Sequence, residues 1–278
     1  MWYTISIIGV VCKKMQPEAC TGQRENQNMA QYSDLLLSEE TLKAVERMGF
    51  TELTEIQEKA IPVMLEGREI IAKAPTGTGK TCAFGVPIME KIDPSALAVQ
   101  AVVLCPTREL CTQIVDELRE LAHFRPQVRV AAVYGGQQID RQINALKRGA
   151  QIVVATPGRM LDHMHRRTIN LSKVSIAVLD EADEMLDMGF YKDVCKILDR
   201  LPKERQMVMF SATISREVMD IGWLYQRDTV ELTVEPVKES QPKIHQYMLE
   251  SVGRQKLADL CYILEANDFH KVMIFCNT

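Results

Sequence analysis

From about residue 69 to residue 210, short apolar runs alternate with longer amphipathic segments. The runs Glu69–Ala72, Ala101–Cys105, Arg129–Val133, Ile152–Ala155, Ser175–Leu179 and Met207–Phe210 are almost continuous in apolar residues. That pattern belongs to strands covered on both faces. Helical spacing fills the intervals at Lys80–Ile92, Glu109–Ala122, Asp140–Arg148, Gly158–His165 and Val194–Leu201. The alternation predicts an α/β fold, a parallel β-sheet with helices on both faces. Two further helices precede it. Ser38–Met48 has Ser38 as N-cap with Thr41 at its third helical position, and Thr54–Leu65 is expected to bend or break at Pro62. Sheets of this kind collect ligands at the C-terminal ends of their strands. Thr76, Thr107, Thr156, Asp180 and Ser211 all follow strands directly.

Both ends depart from the alternation. Trp2 to Val11 is apolar but too short to span a bilayer, and Lys13-Lys14 follow it rather than precede it, unlike a signal peptide. Residues 1–28 are expected to be a disordered leader or an upstream-start artefact, with Met29-Ala30 a plausible start. Residues 29–235 form the main domain, and 236–242, flanked by Pro236 and Pro242, read as a linker. In 243–278, Ile244–Leu249 and Lys271–Cys276 read as strands around a helix at Arg254–Glu265. These open another α/β unit, but two strands and a helix cannot bury a sheet alone.

Composition adds bounds. The 278 residues are 46% hydrophobic, enough for one large core and the start of a second. A net charge of −4 supplies no global basic field for nucleic acid, although a local cleft of backbone amides and arginines needs none. Eight cysteines include no Cys-x-x-Cys pair and no zinc spacing, which fits free thiols in a reducing, cytoplasmic setting.

The chemistry lies in two loops. Ala74-Pro75-Thr76-Gly77-Thr78-Gly79-Lys80-Thr81 departs from the pattern G-x-x-x-x-G-K-[ST] only at Ala74. Gly77 and Gly79 permit tight turns, so that successive N–H groups, with those of Thr76 and Thr78, converge on phosphate oxygens. Lys80 would neutralise the β- and γ-phosphates, and Thr81 would place a hydroxyl on magnesium. At the tip of the strand Ser175–Leu179 stand Asp180-Glu181-Ala182-Asp183. Asp180 is the candidate magnesium partner, through water. Glu181 would orient or activate the attacking water. Glu184 and Asp187 read as solvated charges around a helix N-terminus. Lys80, Asp180 and Glu181 are thus the catalytic candidates of a nucleoside triphosphatase.

These segments resemble the DEAD-box RNA helicases from about Tyr32 to the C-terminus. Ala74–Thr81 resembles motif I and Asp180–Asp183 motif II. Pro106-Thr107-Arg108-Glu109-Leu110 resembles motif Ia, Gly135-Gly136 the GG element, Thr156-Pro157-Gly158-Arg159 the TPGR element and Ser211-Ala212-Thr213 motif III. Gly49-Phe50 and Thr54-Glu55-Ile56-Gln57 resemble the Q motif, with Tyr32 at its isolated aromatic. Leu53 and Glu55 stand where that motif usually has prolines. The resemblance implies a RecA-like P-loop domain using ATP and Mg2+, in which Gln57 reads the adenine edge and Phe50 and Tyr32 support the pocket. It implies that Asp183, Ser211 and Thr213 couple hydrolysis to strand separation. It also implies that Pro106, Thr107, Arg108, Gly135, Gly136, Thr156, Pro157, Gly158 and Arg159 hold RNA by its sugar–phosphate backbone, without base readout.

In the family a second RecA-like domain supplies an arginine finger. Lys271–Thr278 resembles that domain's start (motif IV), and no His-Arg-x-Gly-Arg segment occurs in the 278 residues. His163-Met164-His165-Arg166-Arg167 is read as a solvated helix end. The 278 residues are therefore expected to bind ATP weakly, hydrolyse it little and leave duplexes paired. The alternatives are a non-catalytic fragment that binds ATP and RNA, and a P-loop ATPase acting on DNA. No membrane partner is expected, and accessory proteins are not identified by the sequence.

Overall fold

A computed structural model describes residues 3–7, 30–235, 247–251 and 255–267, together with 272 and 274. The strands, in chain order, are β1 (Tyr3–Ile7), β2 (Ile70–Lys73), β3 (Ala101–Leu104), β4 (Val130–Val133), β5 (Ile152–Ala155), β6 (Ile176–Leu179), β7 (Gln206–Ser211), β8 (Val230–Thr233) and β9 (Tyr247–Ser251). The helices are α1 (Glu39–Arg47), α2 (Glu55–Leu65), α3 (Lys80–Lys91), α4 (Arg108–Leu121), α5 (Ile139–Lys147), α6 (Pro157–His165), α7 (Ala182–Asp187), α8 (Tyr191–Leu198), α9 (Arg216–Tyr225) and α10 (Lys256–Ala266). Two compact units divide the chain, Asn28–Pro236 and a smaller one drawn from Met1–Gln27 and Val237–Thr278.

In the larger unit seven strands form one sheet in the order β4-β5-β3-β6-β7-β2-β8, every neighbouring pair parallel. Successive strand residues point to opposite faces. Ile70, Ala72, Val103, Val154, Val178, Val208 and Phe210 enter one core with α2, α3 and α4. Ile71, Val102, Leu104, Val153, Ala177, Leu179, Met207 and Met209 enter the other with α6, α7, α8 and α9. Both faces are dry, which is why these strands read as continuous apolar runs.

Helix termini follow local chemistry. Ser38 caps α1, its hydroxyl accepting from the Thr41 amide at 3.4 Å. The same hydroxyl donates to Glu90 at 2.7 Å and so fastens α1 to α3. Of the two outcomes expected at Pro62, a bend or a break, the break does not occur, and α2 runs on to Leu65. Ile56, Ala60, Ile61 and Met64 of that helix are fully buried. Burying four apolar side chains offsets the ~3 kcal/mol that an interior proline costs.

Three elements were not expected from the apolar pattern. β8 is an edge strand in which Glu231 and Thr233 are exposed, so it presents no apolar run. In α9 the exposed Trp223 and Leu224 blur the stripe made by Val218 and Ile221. β1 lies inside the expected leader, yet residues 3–7 are extended and pair antiparallel with β9, Tyr3 opposite Ser251 and Ile7 opposite Tyr247. The leader's other residues, the linker at 236–242 and most of Lys271–Cys276 lie outside the described residues.

Candidate active site

The phosphate loop leaves β2 while still tied to the sheet, because the Ala74 amide donates to the Ser211 carbonyl of β7 at 2.9 Å. Gly77 and Gly79 have φ of +81° and +89°, backbone that side chains other than glycine's rarely adopt. A Cβ on Gly77 would meet nothing within 4 Å, so the loop has open space beside it. A Cβ on Gly79 would fall on the Gln57 side-chain amide. Gln57 is itself buried and braces the loop. Its Nε2 donates to the Gly79 carbonyl at 3.0 Å, and its Oε1 accepts from the Thr54 amide at 2.9 Å. Tyr32 and Phe50 enter from adjacent backbone, the Tyr32 amide donating to the Thr51 carbonyl at 3.3 Å. Tyr32 is buried in the core, and burial raises its pKa. Phe50 is 42% exposed and open to a ligand.

Lys80 opens α3 and lies buried with its Nζ 3.9 Å from Asp180 Oδ1, at the tip of β6. That distance is too long for a hydrogen bond, and Lys80 Nζ has no hydrogen-bond partner in the protein. A buried ammonium that makes no hydrogen bond is unfavourable, and a phosphate oxygen is a group that would satisfy it here. Asp180 is 2% exposed. Burial pushes its pKa up to about 6 against the opposing charge of Lys80. The Glu181 backbone is left-handed, at φ 51° and ψ 52°, a strained position for glutamate. Its amide donates to Asp180 Oδ1 at 3.1 Å, and its carboxylate accepts from the Thr76 hydroxyl at 3.4 Å. The acidic tip and the phosphate loop therefore touch. Thr81, next to Lys80, is also buried. Among the described residues no three His, Cys, Asp or Glu side chains form a cation cage. Asp180 and Thr81 offer oxygen donors, the kind magnesium takes beside its waters and phosphate oxygens.

Beside this pair, Asp183 is clasped by the end of β7. Its Oδ2 accepts from the Thr213 amide at 2.8 Å and hydroxyl at 2.7 Å, and its own amide donates to Ser211 Oγ at 3.2 Å. Partial burial opposes ionisation of Asp183, but the bonds from Thr213 and Ser211 hold its pKa below the usual carboxylate range.

The other half of the sheet carries a second group of loops. Thr107 caps α4, its hydroxyl accepting from the Leu110 amide at 3.2 Å. Arg108, exposed at the start of α4, lies over the Tyr134 ring at 5.4 Å. Gly136 turns at φ +81°, and a Cβ there would stand 3.1 Å from Arg108 Nη1. Thr156 precedes α6 without making a side-chain cap bond, Pro157 occupies the first turn and Gly158 is exposed. Arg159 Nη1 donates to the Gln137 carbonyl at 3.0 Å. The segments containing Arg108, Gly135-Gly136 and Arg159 thus adjoin one another. Pro106 is buried behind them.

Residues 54–221 match the family described as DEAD/DEAH box helicase. The chain belongs to that family. It is 44% identical over 250 residues to the DEAD-box ATP-dependent RNA helicase CshA of Geobacillus kaustophilus, covering 90% of this chain and 53% of that protein. An ATP-dependent RNA helicase CshA of Listeria monocytogenes is also 44% identical over 250 residues, with 90% and 48% covered. The chain spans about half the length of these curated relatives. Among solved structures, a DEAD box protein from Methanococcus jannaschii superposes with TM-score 0.70 at 37% identity, covering 84% of this chain and 63% of that one. A hypothetical ATP-dependent RNA helicase from Sulfolobus tokodaii gives TM-score 0.65 at 39% identity, with 71% and 57% covered. The sheet is accordingly the RecA-like domain of DEAD-box helicases.

One reading made outside the expected site is corrected. His163 does not lie on a solvated helix end: it is fully buried and bonded to Gln142 and Thr168. Its position three residues after buried Met160 on α6 is the signal that could have placed it, and the basic run His165-Arg166-Arg167 masked it. Gln142 and Tyr134, also unmarked by sequence, join His163 to the loops above. No helix among the described residues is long and apolar enough to cross a membrane.

Proposed function

We propose that the chain binds ATP with magnesium at the phosphate loop and RNA at the adjoining loops, as the nucleotide-binding core of an ATP-dependent RNA helicase. The observation that carries this reading is the buried Lys80–Asp180 pair with Lys80 Nζ making no hydrogen bond, beside an open phosphate loop. Backbone amides from Thr76 to Thr81 and the Lys80 ammonium hold the β- and γ-phosphates. Gln57 spends its carbonyl on Thr54 and one N–H on Gly79, leaving its second N–H for the adenine edge. Phe50 covers the base, with Tyr32 buried beneath. Thr81 and, through water, Asp180 would hold magnesium, which supplies charge neutralisation across the phosphates. Glu181, held by its strained backbone and Thr76, orients the attacking water and accepts its proton.

Pro106, Thr107, Arg108, Gly135, Gly136, Thr156, Pro157, Gly158 and Arg159 then line one RNA strand. Contacts of this kind go to phosphate and sugar and carry no base specificity. The clasp of Asp183 by Ser211 and Thr213 links the acidic tip to β7, and through Ser211 to the phosphate loop, so nucleotide state reaches the rest of the edge. Free thiols at Cys82, Cys105, Cys111, Cys195 and Cys261 support a reducing, cytoplasmic setting.

Phosphate release from ATP, with and without single-stranded RNA or DNA of equal length, tests the proposal. In a polypeptide that also carries an arginine finger, we expect stimulation by RNA above DNA and its loss in Glu181→Gln. The 278 residues assayed alone should turn over slowly, since an arginine finger contributes about 10³–10⁵ in other phosphoryl-transfer enzymes. Equal stimulation by DNA would favour a DNA-directed ATPase. Tight ATP and RNA binding without turnover in the two-domain polypeptide would favour a non-catalytic binding role.

A further inference from the structure

We propose that Gln142, oriented by the buried imidazole of His163, is a positioning residue that locks the Gly135-Gly136 turn and the Arg159 guanidinium into one phosphate-contacting surface. The inference rests on the RNA reading above and extends it to residues that touch no ligand.

Gln142 of α5 and His163 of α6 are 2% and 0% exposed. Gln142 Nε2 donates to the Tyr134 carbonyl at 2.9 Å and to Gln137 Oε1 at 3.2 Å. Its Oε1 is therefore the accepting end. It receives His163 Nε2 at 3.1 Å and Arg159 Nη1 at 3.4 Å. His163 must carry its proton on Nε2, which leaves Nδ1 to accept from the Thr168 hydroxyl at 2.8 Å. Burial, and then the charge of Arg159, lower the His163 pKa, in keeping with a neutral ring. The polarity of the bonds is thus fixed from His163 Nε2 through Gln142 to Tyr134, and the Thr168 hydroxyl also lies 3.2 Å from the His163 carbonyl.

None of Gln142's side-chain bonds serves its own helix. Its donors go to Tyr134 and Gln137, on either side of Gly135-Gly136, and its acceptor goes to His163 and Arg159. Arg159 closes the circuit by donating to the Gln137 carbonyl, while Tyr134 stacks under Arg108. A side chain needed only to fill space would use no amide. Here a single buried amide spans both loops expected to meet the RNA backbone, and the histidine behind it keeps that amide from turning over.

The test uses Gln142→Met, close in shape but without the amide, and His163→Phe, which removes the Nε2 donor, with His163→Gln supplying an N–H again. Thermal melting establishes that each variant is folded. Hydrogen exchange of peptides covering residues 133–138 reads the turn without any ligand. Anisotropy titration of a fluorescent oligouridine, at several salt concentrations, reads the surface. We expect faster exchange in the turn for Gln142→Met and His163→Phe. We expect RNA affinity about tenfold weaker, with the salt slope reduced by about one. His163→Gln should recover most of both effects. Folded variants with unchanged exchange in the turn, or with unchanged RNA affinity and slope, would overturn the inference, as would loss of stability alone. If the native sequence binds no RNA while exchange responds as expected, the RNA reading falls and the positioning of the turn stands.

Discussion

Asp180 is a carboxyl placed where water is almost excluded, and its burial raises its pKa to about 6. A carboxyl whose pKa rises on folding favours the native state while protonated. Stability contributed by that proton is full below about 4, the unfolded value, and is lost as pH climbs through 6. Two units correspond to about 3 kcal/mol. Urea denaturation at successive pH values should show the ligand-free protein losing about that much between pH 4 and 7 relative to Asp180→Asn. A difference independent of pH would contradict this assignment. The proposed magnesium–nucleotide binding would run the other way, because it would need the carboxylate; affinity should weaken as pH drops below about 6. Gly79 is the second residue with a sharp expectation. Gly79→Ala puts a methyl on the Gln57 amide from a left-handed backbone. A cost of about 2 kcal/mol, seen as a Tm lower by ~4 °C or more, should accompany a loss of nucleotide affinity in equilibrium titration.

At the scale of elements, one side chain bonds to two neighbouring strands, β2 and β7. Gln226, just after α9, donates from Nε2 to the Ile70 and Met207 carbonyls, both at 2.9 Å. Gln226→Leu leaves two buried acceptors short and should destabilise the protein by about 2 kcal/mol in chemical denaturation. A change within ±0.5 kcal/mol would show that water replaces the amide. The six strands from β2 to β7 were legible in the sequence because each is buried on both faces and must be apolar throughout. β8 was not, since an edge strand needs only alternate burial. α9 was hidden by Trp223 and Leu224, apolar residues that it exposes. The phosphate loop and acidic tip were legible because their chemistry demands particular residues at fixed spacing. The Gln142–His163 bonds were not, because they join positions 21 residues apart whose meeting is decided by the strand order β4-β5-β3.

Across the larger unit, strand order sorts the chemistry. β2, β7 and β6 lie side by side and bring the phosphate loop, Ser211 and Asp180 to one half of the C-terminal edge. β3, β5 and β4 lie side by side and bring Thr107, Thr156 and Gly135-Gly136 to the other half. The two halves meet where β3 pairs with β6, and the Asp180 amide there donates to the Leu104 carbonyl at 2.9 Å. A net charge of −4 then has a consequence: on the proposed reading RNA would be held by a few local groups, so the salt dependence of binding should be modest, about 0.7 in log affinity per log salt for each phosphate contacted. The central claim is that the buried Lys80–Asp180 pair, with Lys80 Nζ making no hydrogen bond, is built to take a magnesium-bound triphosphate. It is tested most directly by titrating a fluorescent ATP analogue, with and without magnesium, into the native sequence and Lys80→Ala. The account predicts saturable, magnesium-dependent binding by the native sequence, weakened at least tenfold by Lys80→Ala. Equal affinity for both, or binding indifferent to magnesium, would contradict it.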